Sequence, residues 1–264
     1  MQPLTDRQSD IVSLARTTGR VAVEDLALRF DVTPQTIRRD LNDLCDRRVL
    51  TRTHGGALIS SSVENLSYEA RRLIAADAKR AIGIAAAALI PDKSSLFINI
   101  GTTTEEVAMA LRNRSGLRVV TNNLNVAMML YPQSEMEVIV IGGPVRRSDG
   151  AVIGGGAVDS IRQFKVDTAV IGASALDEDG SLLDFDALEV TASRAIIENA
   201  RRVMLVCDRM KLQRAAPVRI AHMSQIHTFV TDRLDSVALR EACSAHGVQV
   251  VEALPDSPPE EIQD

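Results

Sequence analysis

Thr33-Pro34-Gln35-Thr36-Ile37-Arg38-Arg39-Asp40-Leu41-Asn42-Asp43-Leu44 reads as a helix whose start is marked in the sequence. The Thr33 hydroxyl suits an N-cap, where it accepts from N–H groups that the first turn leaves unpaired. Pro34 fits the first helical position, where a missing N–H costs nothing. Ile37, Leu41 and Leu44 recur at i, i+4 and i+7 and form one apolar stripe. Gln35, Thr36, Arg38, Arg39 and Asn42 are left on the other faces, where Gln, Thr and paired Arg offer donors to base edges and phosphates. Taken alone, this is equally an ordinary surface helix with two solvated arginines, so its flanks decide.

Upstream, residues 21–30 set Val23, Leu26, Ala27 and Phe30 on one helical face, and only Asp31 and Val32 separate them from Thr33. Two short helices joined by so tight a turn, the second polar at its start, make a helix-turn-helix. Downstream, residues 49–57 predict a β-hairpin wing bearing Arg52 and His54. A first helix is expected from Thr5 to Thr17, with Ile11, Leu14 and Ala15 inward and Gly19 ending it. The residues expected on double-stranded DNA are Thr33, Gln35, Thr36, Arg38, Arg39, Arg52 and His54.

The chain has 264 residues, which favours two domains. Its 45% hydrophobic and 25% charged content is that of a globular protein, and no apolar run approaches the roughly 18 residues of a membrane span. The start lacks a signal-peptide core, and Cys45, Cys207 and Cys243 indicate neither a disulfide framework nor a zinc site. A cytoplasmic protein without metal or cofactor is expected. Net charge is −5, yet residues 1–57 carry +1. So weakly basic a module binds DNA poorly as one copy, and two copies on adjacent half-sites multiply the affinity, which predicts a homodimer or homotetramer.

Three segments follow: a winged helix-turn-helix over 1–57, a linker and connecting helix over 58–90, and an α/β domain over 91–264. The Ser60-Ser61-Ser62 run places the boundary near residues 58–64, and residues 67–89 read as one helix with Ile74, Ala78, Ile82, Ala85 and Leu89 inward. Beyond Pro91, strand-like runs at 96–100, 117–121, 137–141, 168–171, 203–207, 228–231 and 248–251 alternate with helix-like runs. That alternation predicts a mostly parallel sheet covered on both faces, with ligands at the strands' carboxyl ends.

Those ends are chemically alike. The first runs into Gly101-Thr102-Thr103-Thr104, a turn with a glycine and three hydroxyls at a helix start, which is a ready phosphate site. The next ends Thr121-Asn122-Asn123, the third Gly142-Gly143, the fourth Gly172-Ala173-Ser174, and the fifth Cys207-Asp208 with Lys211 close behind. Each alone is an ordinary turn; their repetition describes a polar pocket for a small phosphorylated ligand. Asp177-Glu178-Asp179-Gly180 lacks calcium-loop spacing and reads as a polar turn.

Residues 34–41, Arg52-Thr53-His54-Gly55-Gly56-Ala57, Gly101-Thr102-Thr103, Thr121-Asn122-Asn123, and Asp208 with Lys211 together resemble the DeoR-type bacterial transcription regulators, over nearly the whole chain. The resemblance implies a sensor similar to ribose-5-phosphate isomerase, and a repressor of a carbon-catabolic regulon released from its operator by a phosphorylated effector, glycerol 3-phosphate foremost. Carried over by residue, Gly101, Thr102, Thr103, Thr104, Thr121, Asn122, Asn123, Gly142, Gly143 and Lys211 become the effector-pocket candidates. Asn99 stands where the family commonly has Asp, and Arg209-Met210 replaces the usual small hydroxyl residue before the lysine. The rival is a sugar-phosphate isomerase with a DNA-binding domain attached. It needs a carboxylate base, which Asn99 cannot supply and which leaves Asp184, Asp186 and Glu189.

Overall fold

In the computed structural model, Thr5 Oγ1 accepts from Gln8 N while Gln8 Oε1 accepts from Thr5 N, a reciprocal cap that starts α1 (Asp6–Thr18). Gly19, left-handed at φ 80°, ends it. The described residues are 4–46, 49–53, 55–59, 65 and 67–253. The expected DNA contact His54 and most of the expected boundary, residues 60–64, lie outside them.

The next segment departs from expectation at its start. Residues Arg20–Ala22 form a strand, β1, and the helix α2 covers only Val23–Phe30. The cause is tertiary: β1 pairs antiparallel with a strand thirty-odd residues on, Val21 opposite Ala57 and Ala22 opposite Gly56. A Cβ at Gly56 would sit 2.0 Å from Val21 O, so only glycine permits this approach. Next come α3 (Pro34–Asp46), β2 (Leu50–Thr53) and β3 (Gly56–Ile59), the two strands forming the wing. Ile11, Leu26, Ile37, Leu41, Leu44 and Leu50 close a core of their own beneath the sheet β1-β3-β2.

The connecting stretch is not one helix. It breaks into α4 (Tyr68–Leu73) and α5 (Ala76–Ala88) at Ala75, which sits left-handed at φ 53°. An alanine there carries strain of roughly 1–2 kcal/mol, and tertiary contacts hold it. The Lys79 ammonium donates to Arg71 O, an α4 carbonyl that a continuous helix would have used itself.

All seven expected strands form one sheet: β4 (Ser95–Ile98), β5 (Leu117–Thr121), β6 (Met136–Val140), β7 (Val166–Ile171), β10 (Ala200–Val206), β12 (Thr228–Thr231) and β13 (Gln249–Glu252). Every pairing in it is parallel, in the order β13-β12-β10-β7-β4-β5-β6. The helices α6 (Thr102–Leu111), α7 (Leu124–Leu130), α8 (Gly155–Ile161), α9 (Ala187–Glu198) and α10 (Val237–Ala245) cross between strands. With α5 they bury an apolar cluster on each face, one around Phe97, Ile171 and Leu205 and one around Ile98, Leu111 and Val230.

Sequence periodicity missed a second, antiparallel sheet of β8 (Ala175–Leu176), β9 (Ser181–Asp184) and β11 (Val218–His222). These strands are short, and β9 is buried at every position, so no alternation marks it. The Asp177–Gly180 turn joins β8 to β9.

Candidate functional site

On α3 the inward side chains are Ile37, Asp40, Leu41 and Leu44; Thr33, Pro34, Gln35, Arg38 and Arg39 are exposed and Thr36 is half-buried. Thr36 N donates to Thr33 Oγ1 at 3.2 Å, so the expected cap is made. The helix is pinned from behind, where Arg7 Nε meets Asp40 Oδ2 at 2.6 Å and Gln8 Nε2 donates to Asp43 Oδ2 at 2.9 Å. Arg38 lies 3.8 Å from Glu24 of α2, an exposed pair that is weak in water and yields readily to a phosphate. Arg52 stands exposed on β2, on the wing beside this helix.

The parallel sheet reverses its winding between β4 and β7, and the crevice at such a switch lies outside the strands' carboxyl ends. Gly101, at φ 146°, turns the chain from β4 into α6, a conformation that side chains rarely adopt. Two of the hydroxyls expected for a ligand hold the turns themselves. Thr104 Oγ1 lies 2.7 Å from Asn99 O and 2.8 Å from Gly101 O. Thr121 Oγ1 donates to Ile98 O at 2.6 Å and accepts from Asn123 N at 3.0 Å. Thr102 and Thr103 are buried at the start of α6, and Asn123 caps α7. Asn99 and Asn122 are buried with one amide side satisfied, by Ser193 and by Val152 O, while both Oδ1 atoms lack a partner among the described residues.

The Gly101 turn and the Thr121-Asn122-Asn123 turn thus meet across neighbouring strands, joined by Asn123 Nδ2 donating to Glu105 Oε1 at 3.1 Å. Gly142 and Gly143 sit exposed at the end of the edge strand β6. Lys211 follows β10, two strands from β4, and lines a hollow with Leu58, Arg71, Ile74, Lys79, Asp208, Met210 and Arg214.

The connecting segment, to which sequence reasoning assigned no site residue, spans these places. Tyr68 Oη donates to Glu105 Oε2 at 2.6 Å and accepts from Asn125 Nδ2 at 2.9 Å. Arg71 Nη2 lies 3.5 Å from Asp149 Oδ2. Asn65 Nδ2 donates to Ser174 Oγ at 3.2 Å, and Arg214 Nη2 to Asn65 Oδ1 at 2.8 Å. Asn65, Tyr68 and Arg71 therefore touch the chain just after β4, β5, β6, β7 and β10. One signal was available: Lys79 lies three residues before the buried Ile82, a lysine inside an apolar stripe.

Burial sets the electrostatics. It brings the Lys79 ammonium down to about 8, with Lys211 adding repulsion. It likewise lowers Lys211, and brings Arg214 to about 10 with Arg71 adding to the effect. On the other side Arg146 contacts Asp149, Asp186 and Glu189, each at 2.6 Å. Burial, then the nearby Asp184, raises Glu189 to about 7 even so. Asp184 Oδ1 accepts from Phe185 N at 2.6 Å. The carboxylates an isomerase would need are thus engaged by their own surroundings. Among the described residues no cluster of three or more His, Cys, Asp or Glu could hold a metal, and no helix is long and apolar enough to cross a membrane.

Comparison with known proteins places most of the chain. The DeoR-like helix-turn-helix domain matches residues 7–63, and the DeoR C terminal sensor domain matches residues 74–233. The chain belongs to the DeoR family: it is a DNA-binding transcription regulator, not an enzyme. Over 246 residues, 93% of this chain and 98% of the relative, it is 44% identical to the glycerol-3-phosphate regulon repressor of Escherichia coli. It is 36% identical over 245 residues, 93% of this chain and 94% of the relative, to the HTH-type transcriptional repressor CsqR of the same organism. Among solved structures, ribose 5-phosphate isomerase A of Methanocaldococcus jannaschii aligns at 17% identity and TM-score 0.39, covering 52% of this chain and 54% of that one.

Proposed function

We propose that this regulator represses a carbon-catabolic operon and leaves its operator when a small phosphorylated metabolite, glycerol 3-phosphate first among them, occupies the carboxyl ends of the parallel sheet. The observation that carries the reading is one chain with exposed Gln35, Arg38 and Arg39 on α3 and polar turns after the sheet strands, the Gly101 turn after β4 and, two strands away, the hollow that Lys211 lines after β10. The near full-length identity to a repressor named for glycerol 3-phosphate supports that choice of effector. Gln35 and Thr36 read base edges, Arg38 and Arg39 take guanine or phosphate, and Arg52 holds the backbone from the wing. The Oδ1 atoms of Asn99 and Asn122, without a partner among the described residues, suit hydroxyl donors of a polyol. The connecting segment, expected over 58–90 but yielding Leu58 and Ile59 to the wing strand β3, divides the DNA-reading part from the sensing part. Repression is by a homodimer or homotetramer, supported by the weak basicity of the reading head and by Met128 on α7 and Tyr131 at its C-cap, both exposed beside the edge strand β6.

A mobility-shift assay on the chain's own operon promoters tests this. Glycerol 3-phosphate at millimolar level should release the DNA while glycerol does not. Full retention, with another phosphosugar releasing it, would reject that effector and keep the class.

A further inference from the structure

We propose that a second copy of this chain docks on the edge strand β6, the two strands pairing antiparallel about a two-fold axis at Val138, so that two seven-stranded sheets run on as one. The inference rests on the homo-oligomer reading above and names the surface that makes it. β6 ends the parallel sheet, and among the described residues no strand pairs with its outer side. Ile141 N donates inward to Thr121 O at 2.9 Å, and Glu135 O accepts from Gly116 N at 2.8 Å. Successive residues of a strand turn their backbone groups to opposite sides, so Met136, Val138 and Val140 direct theirs outward. Met136 N is taken by Gln133 O at 3.2 Å, which leaves both groups of Val138 and of Val140 for a further strand.

Edge strands that stay bare are blunted by charge or proline. The opposite edge, β13, ends on Glu252, which Arg240 holds at 3.1 Å. β6 reads Met-Glu-Val-Ile-Val, and its one charge, Glu137, is already met by Arg118 at 2.6 Å. Met136 and Val138 lean on the cluster beneath α7. By the two-residue period Val140 points to that same side, and Val140, Met128 of α7 and Tyr131 at its C-cap are 44%, 65% and 63% exposed. So many apolar groups in one place mark a contact surface.

Self-complementarity selects the occupant. About an axis at Val138, that residue faces its own copy, Met136 faces the partner's Val140, and Glu137 faces the partner's Ile139. An unbroken apolar row forms on the α7 side, the two α7 helices come alongside it, and no like charges oppose each other. Val138 and its copy exchange two hydrogen bonds, the close pair of an antiparallel ladder. A foreign strand would gain the ladder without the matched row.

The test is sedimentation velocity on the full-length chain in wild type, Val138→Lys, Val138→Glu and an equimolar mixture of the two variants. Each variant alone should halve the wild-type mass and raise the dissociation constant about tenfold or more, because like charges meet on the axis. Mixing should restore the wild-type mass, since opposite charges then meet. Amide exchange at Val138 and Val140 should be slow in wild type and fast in Val138→Lys. Circular dichroism checks that each variant folds; where the Val138 variants do not, Met128→Glu, at an exposed position, should halve the mass and decides. Wild-type mass in all three variants would overturn this proposal and leave the homo-oligomer reading intact, because another face then holds the copies. Halved masses that mixing does not restore would overturn the axis at Val138 and the proposal with it. A wild-type chain that stays monomeric with and without promoter DNA would overturn both.

Discussion

The hydroxyl of Tyr68, on the first connecting helix, donates a 2.6 Å hydrogen bond to the Glu105 carboxylate at the start of α6. It is the shortest tie between the segment that leaves the DNA-reading head and the helix that begins at the Gly101 turn. Glu105 keeps Asn123 and Asn125 as donors when the phenol is removed, so the change is confined to the tie. Burial, then this bond, holds the phenol well above its ordinary value, so it stays a donor throughout the working range. Tyr68→Phe should lower stability by about 1–3 kcal/mol, as a hydrogen bond to a charged acceptor does. Urea denaturation measures the loss, and faster amide exchange across α4 should accompany it.

Arg38→Ala and Arg39→Ala should each weaken operator binding by roughly 1–3 kcal/mol if they read bases. Both side chains are exposed, so the fold and its circular dichroism should not change. Mobility shift on the cognate promoter gives the affinity. Wild-type binding in both variants would mean that α3 does not face DNA.

Arg146 is a keystone for three carboxylates. Asp149 is 2% exposed and Glu189 12% by side chain, and both meet the guanidinium at 2.6 Å. Arg146→Met should cost about 3–5 kcal/mol, because it strands buried carboxylates without a partner. The loss should be larger at pH 8 than at pH 6, since Glu189, whose folded value is about 7, can take up a proton at the lower pH. Equal losses at both would show that Glu189 does not change its protonation state between them.

In the folded chain Lys79 should lose its proton as pH rises through about 8. Lys211, Arg71, Asp208 and Glu106 are the charges that face it. The folded value lies below the ordinary 10.5, so between the two the unfolded chain binds more protons. Folding stability from this lysine therefore rises with pH across that window. Thermal melts at about pH 7 and about pH 9 read the slope, and Lys79→Met should flatten it.

Local rules carried the reading head a long way. Thr33 and Pro34 mark a helix start, and Ile37, Leu41 and Leu44 a buried stripe, because a cap and a 3.6-residue period depend on neighbours in the chain. The seven parallel strands were legible for a like reason: a strand buried on both faces needs an unbroken apolar run, and the turns after it need Gly, Thr and Asn. Two of the misses share one cause. Residues 20–22 became a strand through pairing with β3, and residues 67–89 broke at Ala75 where Lys79 took an α4 carbonyl. In each case a partner distant in sequence outweighed a local preference worth only about 1 kcal/mol.

By itself the sequence determined a helix-turn-helix head, a doubly wound sheet and a set of polar strand ends, since caps, periodicity and turn chemistry act over a few residues. Only the tertiary structure decided that Arg71 and Lys79 stand beside Lys211 and Arg214, under Leu58 of the wing. Charges gather in one buried hollow through the packing of β3, α4, α5 and the turn after β10, and no spacing along the chain records that meeting.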